Sequence, residues 1–348
     1  MVAYIIRRVI VGVLMLVAMS AVVIGLFFAS PVDAAKFACG RNCPPDRIAE
    51  TREALGYPDP ALPPIDKAAA TVKVWGGFLQ GVVVGREYPV NEELRKAAPD
   101  LVTECPAPCL GYSQNNQTTV NAEIAEAAPI SISIAMVAIV IWMVFGILFG
   151  VLAAVTKGSL VDRGVVGATL VLYAFPTFFI GALLLNYVAV KFGLFPAPGY
   201  VPIAEGGVWQ WFVQLILPGF TLAVVYMAGY VRMTRAFVLE SLSEDYIRTA
   251  RSKGLKGPKV LFKHALRAAL TPLVTMAGLD FASVLGGAII TESVFNYYGL
   301  GKLAVTANRD FDLPTVVGLV LLLGALVIIA NIIVDILYAF IDPRVRVA

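Results

Sequence analysis

Residues 240–272 read ESLSEDYIRTARSKGLKGPKVLFKHALRAALTP, from Glu240 to Pro272, the one long charged run caught between two strongly apolar segments. Leu239, Leu242, Tyr246 and Ala250 recur at helical spacing, so one face can rest on apolar neighbours while Arg248, Arg251 and Lys253 point elsewhere. Gly254 is placed to end that helix as a C′ glycine. Gly257-Pro258 then predicts a turn, and Lys259 to Ala269 a second short helix with Lys263 and Arg267 on its polar side. The expectation is a helix, a stop and a helix, held in water between membrane spans. The run has no cysteine, no paired carboxylates and one histidine, His264, without an evident partner. Its residue types suit docking rather than catalysis; the plainer alternative is an ordinary basic loop of the cytoplasmic side.

The composition around it is that of a membrane protein. Of 348 residues, 59% are hydrophobic and 15% charged, with a mean hydropathy of +0.80. The apolar residues come in blocks of about 20, the length a helix needs to cross about 30 Å of hydrocarbon. Of 27 Lys and Arg, two lie in the first eight residues, nine between Arg232 and Arg267 and two in the final five. The basic short loops predict that both ends and the 240–272 stretch share the cytoplasmic side. Arg7-Arg8 before a long apolar run also fits a signal peptide. The run to Ala29 is long for a signal core, and Pro31 spoils the cleavage site, so it is read as an uncleaved first span.

In chain order the expected spans are 9–29, 129–155, 165–190, 215–231, 271–290 and 314–340. Span three contains Pro176, which removes a backbone hydrogen bond and predicts a kink. Lys191 to Tyr200 reads as an external turn-rich loop, with Trp209 and Trp211 as an aromatic belt. Residues 30–128 differ abruptly: they carry thirteen acidic residues against nine basic ones, many prolines and all four cysteines. That is enough chain for a small extracytoplasmic domain. Arg47 to Gly56 predicts a helix stopped by the glycine. Cys39, Cys43, Cys105 and Cys109 form two Cys-x-x-x-Cys pairs. Outside the cytoplasm the even count favours disulfides, with three connectivities open, over a metal site, and no metal is expected.

The run Asp245 to Gly254 (DYIRTARSKG) resembles the EAA loop of the membrane subunits of binding-protein-dependent ABC importers, in its dipeptide, oligopeptide and nickel form. The exit from span six, with Asn331, Asp335, Tyr338, Asp342, Pro343 and Arg344, is similar to the close of the same branch, as are Pro176 and Thr291 to Phe295 (TESVF). The departures are Arg248 at the motif's acidic position, Leu266-Arg267 in place of its distal Leu-Pro, and the cysteine-bearing insert. The resemblance implies an all-α integral membrane protein with six transmembrane helices of the type I importer permease fold. Its parts are an N-terminus and first helix at 1–29, an extracytoplasmic insert at 30–128 and a core at 129–348 with the coupling loop at 232–270. It implies that Tyr246, Arg248, Thr249, Ala250, Arg251, Lys253, Gly254 and Leu255 dock on a separate ATPase. It further implies a second permease, one or two ATP-binding subunits, an extracytoplasmic binding protein, a peptide substrate, surrounding lipid and no nucleic acid. The protein would lie in a bacterial inner membrane.

No G-x-x-x-x-G-K-[ST] loop occurs, so ATP and Mg are expected on the partner, with no cofactor in this chain and no catalysis of its own. Asp280 lies near the middle of span five with Ser283 one turn on. A carboxylate there faces water, a partner or a pathway, so Asp280, Ser283 and Pro176 are candidates for the translocation path; a paired, purely structural Asp280 is the alternative. Asp335 is expected to pair with Arg232 or Arg235. The rival class is a self-contained secondary transporter or channel using Asp280 as its ion site; such proteins often show repeats, and none is evident here.

Overall fold

The computed structural model describes residues 2–30, 33–39 and 43–341, with side chains except at 2–5, 101, 282, 285–287 and 334–341. The chain opens with α1 (Val2–Ala29), α2 (Ala34–Cys39), α3 (Pro45–Leu55) and α4 (Pro64–Val84). A short extended stretch follows: β1 (Arg86–Tyr88), α5 (Glu92–Ala97), β2 (Thr103–Cys105), β3 (Tyr112–Ser113) and β4 (Thr118–Thr119). Two antiparallel ribbons result, β1 with β2 and β3 with β4. Next come α6 (Val120–Val155), α7 (Leu160–Ala174) and α8 (Thr177–Leu183), the last running on as a π-helix over Leu184–Lys191. Then α9 (Ile203–Ser243), α10 (Asp245–Ser252) and α11 (Gly257–Val260) follow, with a π segment Leu261–Ala265 leading into α12 (Leu266–Gly287). The described chain ends with α13 (Ile289–Val294), α14 (Leu300–Arg309) and α15 (Leu313–Ile341).

This is a helical membrane protein, and several expected spans are redrawn. Among the described residues four helices are long and apolar enough to cross a membrane: α1, α6, α9 and α15. Taking α7 and α8 with its π extension as one broken span makes five. Six is not reached by length and composition, although α12 occupies the place expected for span five. Pro176 does more than kink span three: Phe175 and Pro176 take extended backbone, and the halves are bent by 98°. The ring excludes the helical amide and the preceding residue is pushed out of the α region, so the helix stops and restarts. Span four lies within α9, which is two helical pieces meeting at a kink at Gly207 (φ 71°), with Trp209 and Trp211 at the start of the longer piece. The tail motif at Asp342, Pro343 and Arg344 lies outside the described residues, as does the side chain of Asp335.

The chain forms two compact units. The first comprises 1–129 with 302–328, and is thus wider than the 30–128 segment. Its core joins Ile24 and Phe28 of α1 to Ala34, Leu313 and Val317, with Tyr57, Trp75 and Phe78 against them. Gly56 ends α3 in the left-handed conformation, as the sequence predicts, and delivers Tyr57 to Phe28, ring centroids 5.4 Å apart. Trp75 donates its indole N–H to Ser20 Oγ at 3.0 Å. Each Cys-x-x-x-Cys closes on itself, Cys39 with Cys43 and Cys105 with Cys109, so no bridge links the two ends of the segment. Gly111 lies at φ 129° where a Cβ would be 2.7 Å from Pro314, which lets the β3 ribbon approach the start of α15.

The second unit comprises 130–301 with 329–348. Its organising contact is a ladder between α6 and α9 with a period of four. Trp142 stacks on Tyr226 at 4.6 Å; a Cβ at Gly146 would be 2.7 Å from Tyr230 Cβ; one at Gly150 would be 2.4 Å from Thr234 Cβ; Ala154 shares a cluster with Val238. Every fourth residue returns to the same face, and small residues let two backbones approach where lipid supplies no hydrophobic drive. The stretch 146–150, GILFG, is the sequence signature of this packing.

Candidate functional site

The 240–272 stretch folds in a different register from the one its apolar spacing predicts. The chain breaks at Glu244, which has extended backbone, and α10 starts afresh at Asp245. The break rotates the face: Ile247 (0% exposed) and Ala250 turn inward, while Tyr246 is 44% exposed. Ile247 and Ala250 pack with Val260 and Ala265, and Leu255 and Leu261 lie against that cluster. Of the eight predicted docking residues, Tyr246, Arg248, Thr249, Arg251, Lys253 and Gly254 are exposed. Ala250 is buried and Leu255 half-buried, so those two hold the loop in shape. Gly254 ends the turn at φ 77°, as expected. The second helix is not separate: residues 257–287 run on through the π segment into α12, with His264 half-buried and Pro272 inside.

What results is a short helix with a cationic outer face clamped beneath by four small or aliphatic side chains. Among the described residues the salt bridge on that face, Arg248 with Asp245 at 3.5 Å, is solvated and contributes little. Beside it a hollow of about 340 Å³ is lined by Glu240, Glu244, Tyr246 and Pro272. Acidic wall and basic helix therefore lie together, a surface of mixed sign suited to recognition.

Two turns back along α9, Arg235 forks onto Asp162 at the start of α7: Nε to Oδ1 at 2.7 Å and Nη2 to Oδ2 at 2.8 Å. Asp162 also accepts the Gly158 N–H at 2.8 Å, and the Asp162 side chain is 6% exposed. Arg235 pairs with Asp162 because the turn after α6 lays the α7 N-terminus against α9; the expected pairing of Asp335 with Arg232 or Arg235 involves a side chain outside the described ones. Ser159 caps that terminus, as a serine at this position should.

Of the translocation-path candidates, Asp280 is half-buried and accepts the Tyr230 hydroxyl at 2.7 Å. Ser283 is exposed one turn further along α12, its hydroxyl returned to Leu279 O. Pro176 belongs to the broken span. Tyr230 also neighbours Trp142, so Asp280 closes a polar and aromatic group of Trp142, Tyr226 and Tyr230. The sequence reading missed that group, since the four residues come from three distant segments.

It also missed the role of Glu292 in the TESVF stretch. Glu292 is 0% exposed and receives the Ser131 hydroxyl at 2.5 Å, while Ser131 Oγ accepts the Leu300 N–H at 2.8 Å. Gly299 is required there, because a Cβ would fall 2.5 Å from both Glu292 Oε1 and Ser131 Oγ.

Several apolar spanning helices with a clamped, charged helix between two of them define a multi-pass membrane protein. Comparison with known proteins makes this specific. Residues 146–347 match the family described as binding-protein-dependent transport system inner membrane component, and residues 1–135 match its N-terminal counterpart. The chain belongs to that family and is a multi-pass inner-membrane protein. A probable peptide ABC transporter permease protein of Sinorhizobium fredii is 34% identical over 343 residues, 99% of either chain. The dipeptide transport system permease protein of Escherichia coli is 36% identical over 259 residues, covering 68% of this chain and 75% of its own. The oligopeptide transport system permease protein of Bacillus subtilis is 38% identical over 230 residues, covering 66% and 73%. Among solved structures, the inward-facing methionine ABC transporter MetNI matches with a TM-score of 0.46 and 18% identity over 62% of this chain and 97% of that one.

Proposed function

We propose that this chain is a permease subunit of an ATP-driven importer of peptides, forming half of a translocation path and coupling to a separate ATPase through α10. The observation that carries the reading is the exposed cationic face of α10, Arg248, Thr249, Arg251 and Lys253, on a helix pinned from below by Ile247 and Ala250. A helix held this way moves with α9 and α12, so force applied to it is passed to the spans. The relatives, all named as peptide transport permeases, support the substrate class.

On this reading both termini and α10 lie in the cytoplasm, and the insert faces outward toward a substrate-binding protein. A second permease completes the path, and one or two partner subunits hold ATP and Mg. This chain holds no cofactor and performs no chemistry; alternating access follows as the ATPases close and the two permeases switch which side is open. Asp280, held by Tyr230, offers an acceptor to a peptide amino group, with Ser283 beside it. Asp280→Asn is expected to lower uptake without loss of assembly, and uptake equal to the parent across pH would remove Asp280 from the path.

The test is affinity purification from the native membrane of the unaltered chain and of an Arg248→Glu, Arg251→Glu variant. Recovery of an ATPase and a second permease, with only the ATPase lost in the variant, is the expected result. Recovery of the chain alone in both cases would overturn the importer reading in favour of a self-contained transporter using Asp280.

A further inference from the structure

Between α7 and α9 lies a hollow of about 580 Å³ that the coupling and path residues do not use. Arg163, Arg232 and Arg235 line it together with Asp162. Among the described residues only Arg235 of the three is paired, and the lining's three guanidiniums against one carboxylate give it a net charge of +2. Arg163 and Arg232 are exposed and make no salt bridge among the described residues. Arg235 spends its Nε and Nη2 edge on Asp162, which fixes the plane of the guanidinium and leaves its Nη1 edge unused.

The remaining wall is apolar: Val166, Gly167 and Leu170 along α7. A Cβ at Gly164 or Gly167 would meet nothing within 4 Å, so no neighbour in the chain explains either glycine. Each destabilises an α-helix relative to alanine. A helix that accepts that cost beside an open, cationic hollow leaves room for something not of this chain. Position narrows it further. Arg235 stands eight residues before the end of α9, about 12 Å along the helix from α10, the element that the proposed function places at the cytoplasmic surface.

We infer that this hollow binds an anionic phospholipid of the leaflet nearest α10, its phosphate held by Arg163 and Arg232 with Arg235 beneath, and an acyl chain laid along Val166, Gly167 and Leu170. Guanidinium groups match the phosphate geometry, and basic pockets between spans on this side are suited to acidic headgroups. The inference needs only the membrane placement of α7 and α9, not the identity of the transported substrate.

The test is native mass spectrometry of the purified full assembly, delipidated in detergent and titrated with phosphatidylglycerol or phosphatidylethanolamine. One phosphatidylglycerol per chain should be retained preferentially. Arg163→Gln and Arg232→Gln should each weaken that binding about five-fold, the effect of one surface cation on an acidic lipid. Gly167→Leu puts a side chain into the hollow from a position where a Cβ would meet nothing within 4 Å, and it favours the helix, so it should abolish the preference while the subunits still co-purify. Unchanged retention in Gly167→Leu would overturn the site. So would displacement of the lipid by millimolar inorganic phosphate, which would identify a free anion, or loss of the second permease in Gly167→Leu, which would identify a subunit contact. Failure of the importer reading shows separately, as absence of an ATPase from the unaltered preparation.

Discussion

Gly254 offers the cleanest perturbation of the proposed docking loop, because its backbone is left-handed at φ 77° and a Cβ there would meet nothing within 4 Å. Gly254→Ala therefore adds no collision within the chain and only conformational strain. For an L-residue that strain is roughly 1–2 kcal/mol, while asparagine tolerates the left-handed region at lower cost. One to two kcal/mol is a factor of roughly 5–30 in the population of the loop conformation. If the ATPase binds only the loop as folded, and that form is a minority in the free permease, its apparent affinity falls by up to that factor. The assay is titration of the purified ATPase onto the permease in nanodiscs, read as Kd, with substrate-stimulated ATP hydrolysis alongside. Alanine should weaken binding within that range, and asparagine should recover most of the loss. Equal and much larger losses for both would refute the reasoning, since they would mean that the partner packs against the glycine itself. No loss for alanine would mean that the turn is not part of the docked state.

Three further outcomes follow from the geometry. Ser113→Ala removes one of the two hydroxyls placed to donate to buried Asp312, Ser113 at 2.5 Å and Thr315 at 3.0 Å, so the cost should stay below the roughly 1–3 kcal/mol of a wholly unmet buried acceptor. Burial raises the Asp312 carboxyl above its ordinary 3.8, and the Ser113 bond opposes that rise. A carboxyl raised on folding loses stability as pH climbs from 3.8 through the folded value, so melting curves of the purified chain should show a steeper decline, extending to higher pH, in Ser113→Ala and a flatter profile in Asp312→Asn. Asp162→Asn keeps the size but cannot present two charged oxygens to the Arg235 fork, so uptake should fall and trypsin should cut sooner near Lys157 and Arg163; Arg235→Lys should behave alike, because an ammonium cannot make the bidentate bond. Gly150→Ala would put a Cβ 2.4 Å from Thr234 Cβ and force α6 from α9, lowering Tm of the assembly, whereas Gly229→Ala, with nothing within 4 Å, should leave it unchanged.

The sequence by itself determined whatever depends on neighbours along the chain. The apolar blocks of α1, α6, α9 and α15 announce their own burial in hydrocarbon, and Gly56 and Gly254, each at the end of a short polar helix, stop it in the left-handed region that no other residue enters as cheaply. The docking loop was legible as a charged run between apolar ones, and its family through DYIRTARSKG. The GILFG stretch was equally readable and went unread. Tertiary structure alone decided the rest. Helical spacing carried across 239–250 assumes one unbroken helix, and the break at Glu244 exchanged Tyr246 for Ile247 at the interface, a choice set by the packing of Val260 and Ala265 from the far side of the turn. The same holds for charges: Arg235 found Asp162 over 73 residues of chain, and Asp280 found Tyr230 over 50. A paired carboxylate and a free one are identical as letters; only the helices packed around them bring the partner within 3 Å.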